Sequence, residues 1–232
     1  MSAAHRGRLA APILVVILAA AASPQAPRND AAMRAAWKPV VGSGAAYVVE
    51  HKDLGRMEME IAVVGTENVG GKTGYWVEEF FKDPRHGEGK SKTLFVGDRN
   101  SLQIKRMFTQ APDGPLIELP MEMFEGGEEE EESELILLGT ETITTPAGTF
   151  LCQQYRTKEK KTSSEDMAGA GRAEDDHDFW LSEKVTPFGI VKMTSKDSTQ
   201  TLVRLITNAQ PRIKGTPQKL DPKETKRPRP QP

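Results

Sequence analysis

The chain is poor in cysteine and histidine, with one cysteine and four histidines in 232 residues. Cys152 alone cannot form an internal disulfide, even in a compartment that permits one. No cysteine lies near the N-terminal leader, so none is placed there for lipid attachment. Within Phe150-Leu151-Cys152 the thiol is expected to be buried and inert, as free cysteine commonly is in a core. Aromatic residues are also scarce, at 6%, and the 37% hydrophobic content permits a packed core with little to spare. Positive charge is lacking in the body of the chain. Residues 23–210 carry 22 Lys or Arg against 31 Asp or Glu, a net of -9, which excludes nucleic acid as the main partner.

What is present begins with an export signal. Arg6 and Arg8 precede an apolar run from Leu9 to Ala22, and Ala19-Ala20-Ala21-Ala22 offers small-residue cleavage sites. The run is shorter than the roughly 20 residues that span a bilayer, and no later stretch is long and apolar enough to cross one. Residues 1–22 are therefore expected to be a cleaved signal peptide and the mature chain a soluble periplasmic or secreted protein. Residues 23–39 hold one short helix: Asn29 or Asp30 caps Ala31–Trp37, and Pro39 stops it.

From there the hydrophobic period changes to two. Met57, Met59, Ile61 and Val63 alternate with Glu58 and Glu60. Strands are expected at Tyr75–Phe81, Thr93–Val96, Leu102–Phe108, Leu116–Phe124, Leu135–Thr144, Phe150–Lys158, Phe179–Lys184, Ile190–Ser195 and Gln200–Thr207. Asp83 to Lys90 reads as a loop, and Thr145-Pro146-Ala147-Gly148 as a hairpin turn. The fold class is all-β (mainly β), an antiparallel domain over 40–210. Three segments fall outside its core. These are a solvated loop around Glu128–Glu132, a polar insertion from Lys160 to Glu174, and a disordered basic Pro-rich tail over 211–232, with seven cations and two acids.

Chemistry-bearing motifs are few. Gly65 to Thr73 has glycines and a Lys-Thr pair like a phosphate loop, but the spacing is off by one and a strand follows instead of a helix. Asp175-Asp176-His177-Asp178 collects metal-ligand types, yet consecutive residues of a strand point in alternating directions and do not converge. His51 and His86 are isolated, and the glutamate run lacks the spaced ligands and turn glycine of a calcium loop. No serine elbow and no two-histidine zinc helix occurs, so no catalytic residue, metal or cofactor is assigned. Met57, Met59, Met107, Met121, Met123 and Met193 all fall in expected strands. Methionines there either fill an ordinary core or line an adaptable groove for an acyl chain.

The segment Gly139-Thr140-Glu141-Thr142-Ile143-Thr144-Thr145-Pro146-Ala147-Gly148-Thr149-Phe150, then Trp180-Leu181-Ser182, then Pro187-Phe188-Gly189-Ile190-Val191-Lys192, carries a resemblance. It resembles exported bacterial proteins similar to the lipoprotein-carrier (Lol-type) half-barrel superfamily. The match covers about residues 135–195, and its motifs are turns and strands without a catalytic group. It implies a curved sheet or half-barrel that embraces an acyl chain, lipid or other apolar ligand. One departure from that pattern is the lack of a second helical segment to plug the concavity. The expectation is a non-enzymatic envelope protein whose ligand wall draws on Trp76, Phe80, Met121, Trp180 and Met193. The alternative is an envelope interaction or scaffold module that docks its basic tail on an anionic surface or on its own Glu128–Glu132 run. A metal-dependent enzyme comes third.

Overall fold

The computed structural model describes residues 31–84, 87–110, 112, 114–121, 134–158 and 177–219. The leader, the 160–174 insertion, Glu128–Glu132, Met123, His86, Asp175, Asp176 and the tail from 220 onward lie outside the described residues.

Alternating side chains build most of the molecule. A short helix α1 (Ala31–Ala36) precedes β1 (Gly44–His51), β2 (Gly55–Val69), β3 (Lys72–Asp83), β4 (Gly87–Val96), β5 (Gln103–Gln110) and β6 (Leu116–Leu119). Then come β7 (Glu134–Thr145), β8 (Gly148–Lys158), β9 (His177–Leu181), β10 (Ile190–Thr194), β11 (Ser198–Ile206) and β12 (Gln218–Lys219). All twelve strands join one sheet in the order β12-β6-β5-β4-β3-β2-β1-β11-β10-β9-β8-β7. The strands from β1 to β6 form one meander and those from β7 to β11 another, joined where β1 pairs with β11. Every pairing is antiparallel except β12 on β6.

The mainly β expectation holds, with differences of detail. The 83–90 segment expected as a loop is mostly strand, because β3 and β4 continue their ladder out to Asp83 and Gly87. The strand expected over Leu116–Phe124 ends at Leu119, one residue before Pro120, which has no N–H to extend a ladder.

The sheet is strongly curled. Cα atoms of β7 and β11 come within 8 Å, whereas four strand spacings in a flat sheet would separate them by about 19 Å. The curl makes a concave side, and part of it is filled. Trp37 is 4% exposed and packs against Tyr75, Phe95 and Phe188 at centroid distances of 6.2, 5.3 and 5.3 Å. Its carbonyl accepts a hydrogen bond from Arg99 Nε at 3.2 Å, and the next residue's N–H donates to Pro187 O at 2.8 Å. The main core gathers around it: Tyr47, Met59, Ile61, Val63, Val77, Cys152, Phe179, Val185, Phe188, Val191 and Leu202. Gly189 has φ +72° and lies where a Cβ would sit 2.7 Å from that of Ala36, so α1 docks there only against a glycine.

Candidate functional site

The pleat of β3 sorts its side chains into two sets. Tyr75 and Val77 pack into the main core, and Glu79 and Phe81 share their parity on the inner face. Trp76, Glu78, Phe80 and Lys82 take the outer face. Register then defines inner rows that cross several strands. Val63, Val77, Thr93, Met107 and Leu119 form one row. Ile61, Glu79, Ser91, Thr109 and Ile117 form the next, and Met59, Phe81 and Gly89 the third. The β2 members of these rows are buried, as are Val77, Thr93, Gly89 and Ile117, whereas Phe81, Met107, Leu119, Glu79, Ser91 and Thr109 are half-buried. Phe81 lies across Gly89, whose missing side chain leaves room for the ring. The inner face over β3–β6 is thus a partly open apolar surface crossed by one polar row. Within that row Ser91 Oγ donates to Glu79 at 3.3 Å. Burial raises the Glu79 carboxyl above its ordinary range, and the Ser91 bond offsets this in part.

The five side chains expected to form one ligand wall do not converge. Trp76 and Phe80 are on the outer face, in a separate cluster with Phe108, Leu116 and Ile213. Trp76 stacks on Phe108 at 5.4 Å and donates its indole N–H to Glu67 at 3.0 Å. Trp180 belongs to the main core, is 8% exposed and donates its indole N–H to Glu141 at 2.7 Å. Met193 packs at the margin of the same core. Trp180 opposes Lys192 and Met193 opposes Phe179, adjacent rungs whose side chains leave opposite faces of the ladder. Met121 is half-buried, two residues beyond the end of β6 and near the row that ends in Leu119. Phe81, Leu119 and Glu79 of the inner face are absent from the sequence-based candidates, and Met107 enters them only as one of the strand methionines that could line a groove. Alternation in β3 is a sound signal for two faces, but both faces carry aromatics, so parity alone does not say which is concave.

The outer cluster is covered by the chain's own C-terminal segment. Residues 211–219, expected within a disordered tail, run across the outer face instead. The N–H groups of Arg212 and Ile213 donate to Glu78 at 2.8 and 3.2 Å, and Lys92 Nζ lies 3.3 Å from the same carboxylate. Arg212 also reaches Glu60 at 2.7 Å and stacks over Phe80 at 3.4 Å. Ile213 is 5% exposed among the outer aromatics. The segment ends as β12 along β6. A buried carboxylate needs donors, and one isoleucine supplies the apolar anchor that the tail's composition conceals.

Other titratable groups have local roles. Asp178 accepts both Arg156 Nε and Nη2, at 2.6 and 2.8 Å, and this bond holds its carboxyl below the usual range. His177, its neighbour, packs beside Phe179 at 6.2 Å. Cys152 is 1% exposed, and burial first, then the Glu141 charge, pushes its thiol up to about 11. Among the described residues no group of three or more His, Cys, Asp or Glu side chains gathers as a metal site. No helix among them is long and apolar enough to cross a membrane.

Neither a family model nor a curated protein matches the chain. Solved bacterial structures do show similarity to it. A lipoprotein candidate of Parabacteroides distasonis aligns at 13% identity over 73% of this chain and 97% of its own, with a TM-score of 0.40. A candidate exported protein with a YmcC-like fold from Bacteroides fragilis aligns at 13% identity over the same shares, with a TM-score of 0.39. The lipoprotein LppX of Mycobacterium tuberculosis aligns at 10% identity over 75% of this chain and 90% of its own, with a TM-score of 0.29.

Proposed function

We propose that this chain is a non-enzymatic, exported envelope protein that holds an apolar, acyl-like ligand on the inner face over β3–β6. One observation carries the reading: the concave side is filled by Trp37 where Tyr75 of β3, Phe95 of β4 and Phe188 meet, while Phe81, Met107 and Leu119 stay half-buried farther along β3, β5 and β6. Half-buried apolar side chains of this kind, flexible methionine among them, suit a ligand that varies in shape. The strand and turn motifs that resemble lipoprotein-carrier half-barrels point the same way.

The test uses the chain lacking residues 1–22, a neutral fluorescent apolar probe, and Met107→Lys. A lysine on the inner row should weaken the probe by about tenfold or more, because its charge would have to be desolvated beneath the bound probe. The melting temperature should change little, since Met107 is half-buried. Equal affinity in both proteins, or no binding by either, would sink the reading.

The reading built on the basic tail survives in altered form. Arg212 is engaged on Glu60 and Phe80, and Gln218–Lys219 are anchored along β6. Docking on an anionic surface would then draw on the exposed Lys214 and Lys219 together with Lys223, Lys226, Arg227 and Arg229. Truncation after Lys219 removes four of these six cations and would then strongly weaken salt-sensitive binding to anionic vesicles while leaving the probe untouched.

A further inference from the structure

We propose that the polar row Glu79–Ser91–Thr109 is a head-group subsite, and that it selects an apolar ligand with an amine head over one with a carboxylate head. The inference rests on the apolar-ligand reading above and names the chemistry of the ligand's polar end.

The argument begins with the contrast between two adjacent glutamates. Glu78 faces outward and is satisfied by Lys92 and by the N–H groups of Arg212 and Ile213. Glu79 faces inward, and its one side-chain bond is the 3.3 Å contact from Ser91. Among the described residues no cation pairs with it. The register explains why. Lys82, Lys90 and Lys92 share rungs with Glu58, Phe80 and Glu78, all on the outer face. Along the inner row Glu79 meets Ile61 and Ser91, then Thr109 and Ile117 beyond them. Along its own strand the inward neighbours are Val77 and Phe81.

A carboxylate on such a surface is costly unless it is paired or protonated, and its raised pKa reflects that cost. An ammonium head would supply the missing partner. The Ser91 and Thr109 hydroxyls offer acceptors for its remaining N–H donors. A carboxylate head would bring a like charge to the same row, or would have to give up its own ionisation. The mainly apolar rows on either side, Val77–Thr93–Met107–Leu119 and Met59–Phe81, would flank the chain of either ligand alike.

The experiment compares dodecylamine with dodecanoate as competitors of the neutral fluorescent probe, below their micelle concentrations, in physiological salt at a pH slightly above 7. Dodecylamine should displace the probe at about tenfold lower concentration than dodecanoate. Glu79→Gln should bring that ratio close to one. Ser91→Lys, which places a cation on the facing rung, should do so independently. Glu58→Gln, an exposed outer-face change, should keep the ratio and so exclude the general attraction of an acidic protein for amines. Equal displacement by both competitors in the unaltered chain would overturn the inference and leave the apolar-ligand reading standing. So would a preference that survives both Glu79→Gln and Ser91→Lys. Failure of the unaltered chain to bind the probe at all would overturn the two together.

Discussion

Between Glu78 and Glu79 the pleat of β3 turns one carboxylate to the outer face and the next to the inner one. The first is 1% exposed and has three donors, and the second has one hydroxyl. Such residue-scale asymmetry also governs Cys152. Its thiol titrates near 9.0 when free of the fold and at about 11 within it. Because the folded pKa is raised, the neutral thiol's contribution to stability is fully present below about pH 9. It is lost as pH climbs through 11. In that window the slope reaches at most about 1.4 kcal/mol per pH unit. Urea midpoints at rising alkaline pH should therefore fall more steeply for the unaltered chain than for Cys152→Ala. A thiol reagent added to the native protein at neutral pH should react only as fast as the fold opens. Parallel slopes, or prompt labelling, would show that the thiol is not held as described.

At the scale of elements, the segment from Pro211 to Lys219 is an outer strap, and its energetics rest on few contacts. Ile213 fills the outer aromatic cluster, and replacing a buried isoleucine by alanine typically costs about 2–5 kcal/mol. Truncation after Gln210 removes Ile213 together with both N–H donors to Glu78, so it should lower the melting temperature more than Ile213→Ala does. Truncation after Lys219 keeps the strap and should leave the melting temperature nearly unchanged. Equal melting temperatures for the two truncated chains would mean that the strap is not a structural element. This element was hidden in the sequence because one isoleucine among prolines, lysines and arginines creates no periodicity. By contrast the β7–β8 hairpin was plain, since Thr145-Pro146-Ala147-Gly148 punctuates two alternating runs. β1 lies between these cases. Ala45-Ala46-Tyr47 is buried on both faces, so its apolar run does not alternate as a half-buried strand does. The candidate site was less legible than the strands. Trp76 and Phe80 are large enough to suggest a ligand wall, but only the position of the strap and of Trp37 reveals which face of β3 is outer.

For the whole molecule, the curl of one sheet creates a concavity that the chain partly fills with itself. No second helix is needed for the filling among the described residues. The indole of Trp37 and the Val185–Phe188 turn perform it, with α1 packed near β7 and β8. Trp37 is thus a plug, and emptying its site has a thermodynamic consequence. Trp37→Ala should cost about 3–5 kcal/mol, the usual range for emptying a buried aromatic site. For a domain of this size that corresponds to a fall of roughly 10 °C in melting temperature. The space left would be walled by Tyr75, Phe95 and Phe188, and a vacancy with apolar walls stays dry and accepts small apolar molecules. Added indole should therefore bind the folded variant and raise its melting temperature in a concentration-dependent way, by mass action on the native state. The unaltered chain, with its site occupied, should show no such rise from this site. A variant that loses stability but gains nothing from indole would mean that the sheet closes over the gap. The concavity would then be set by the collapse of the sheet and not by the residue that fills it.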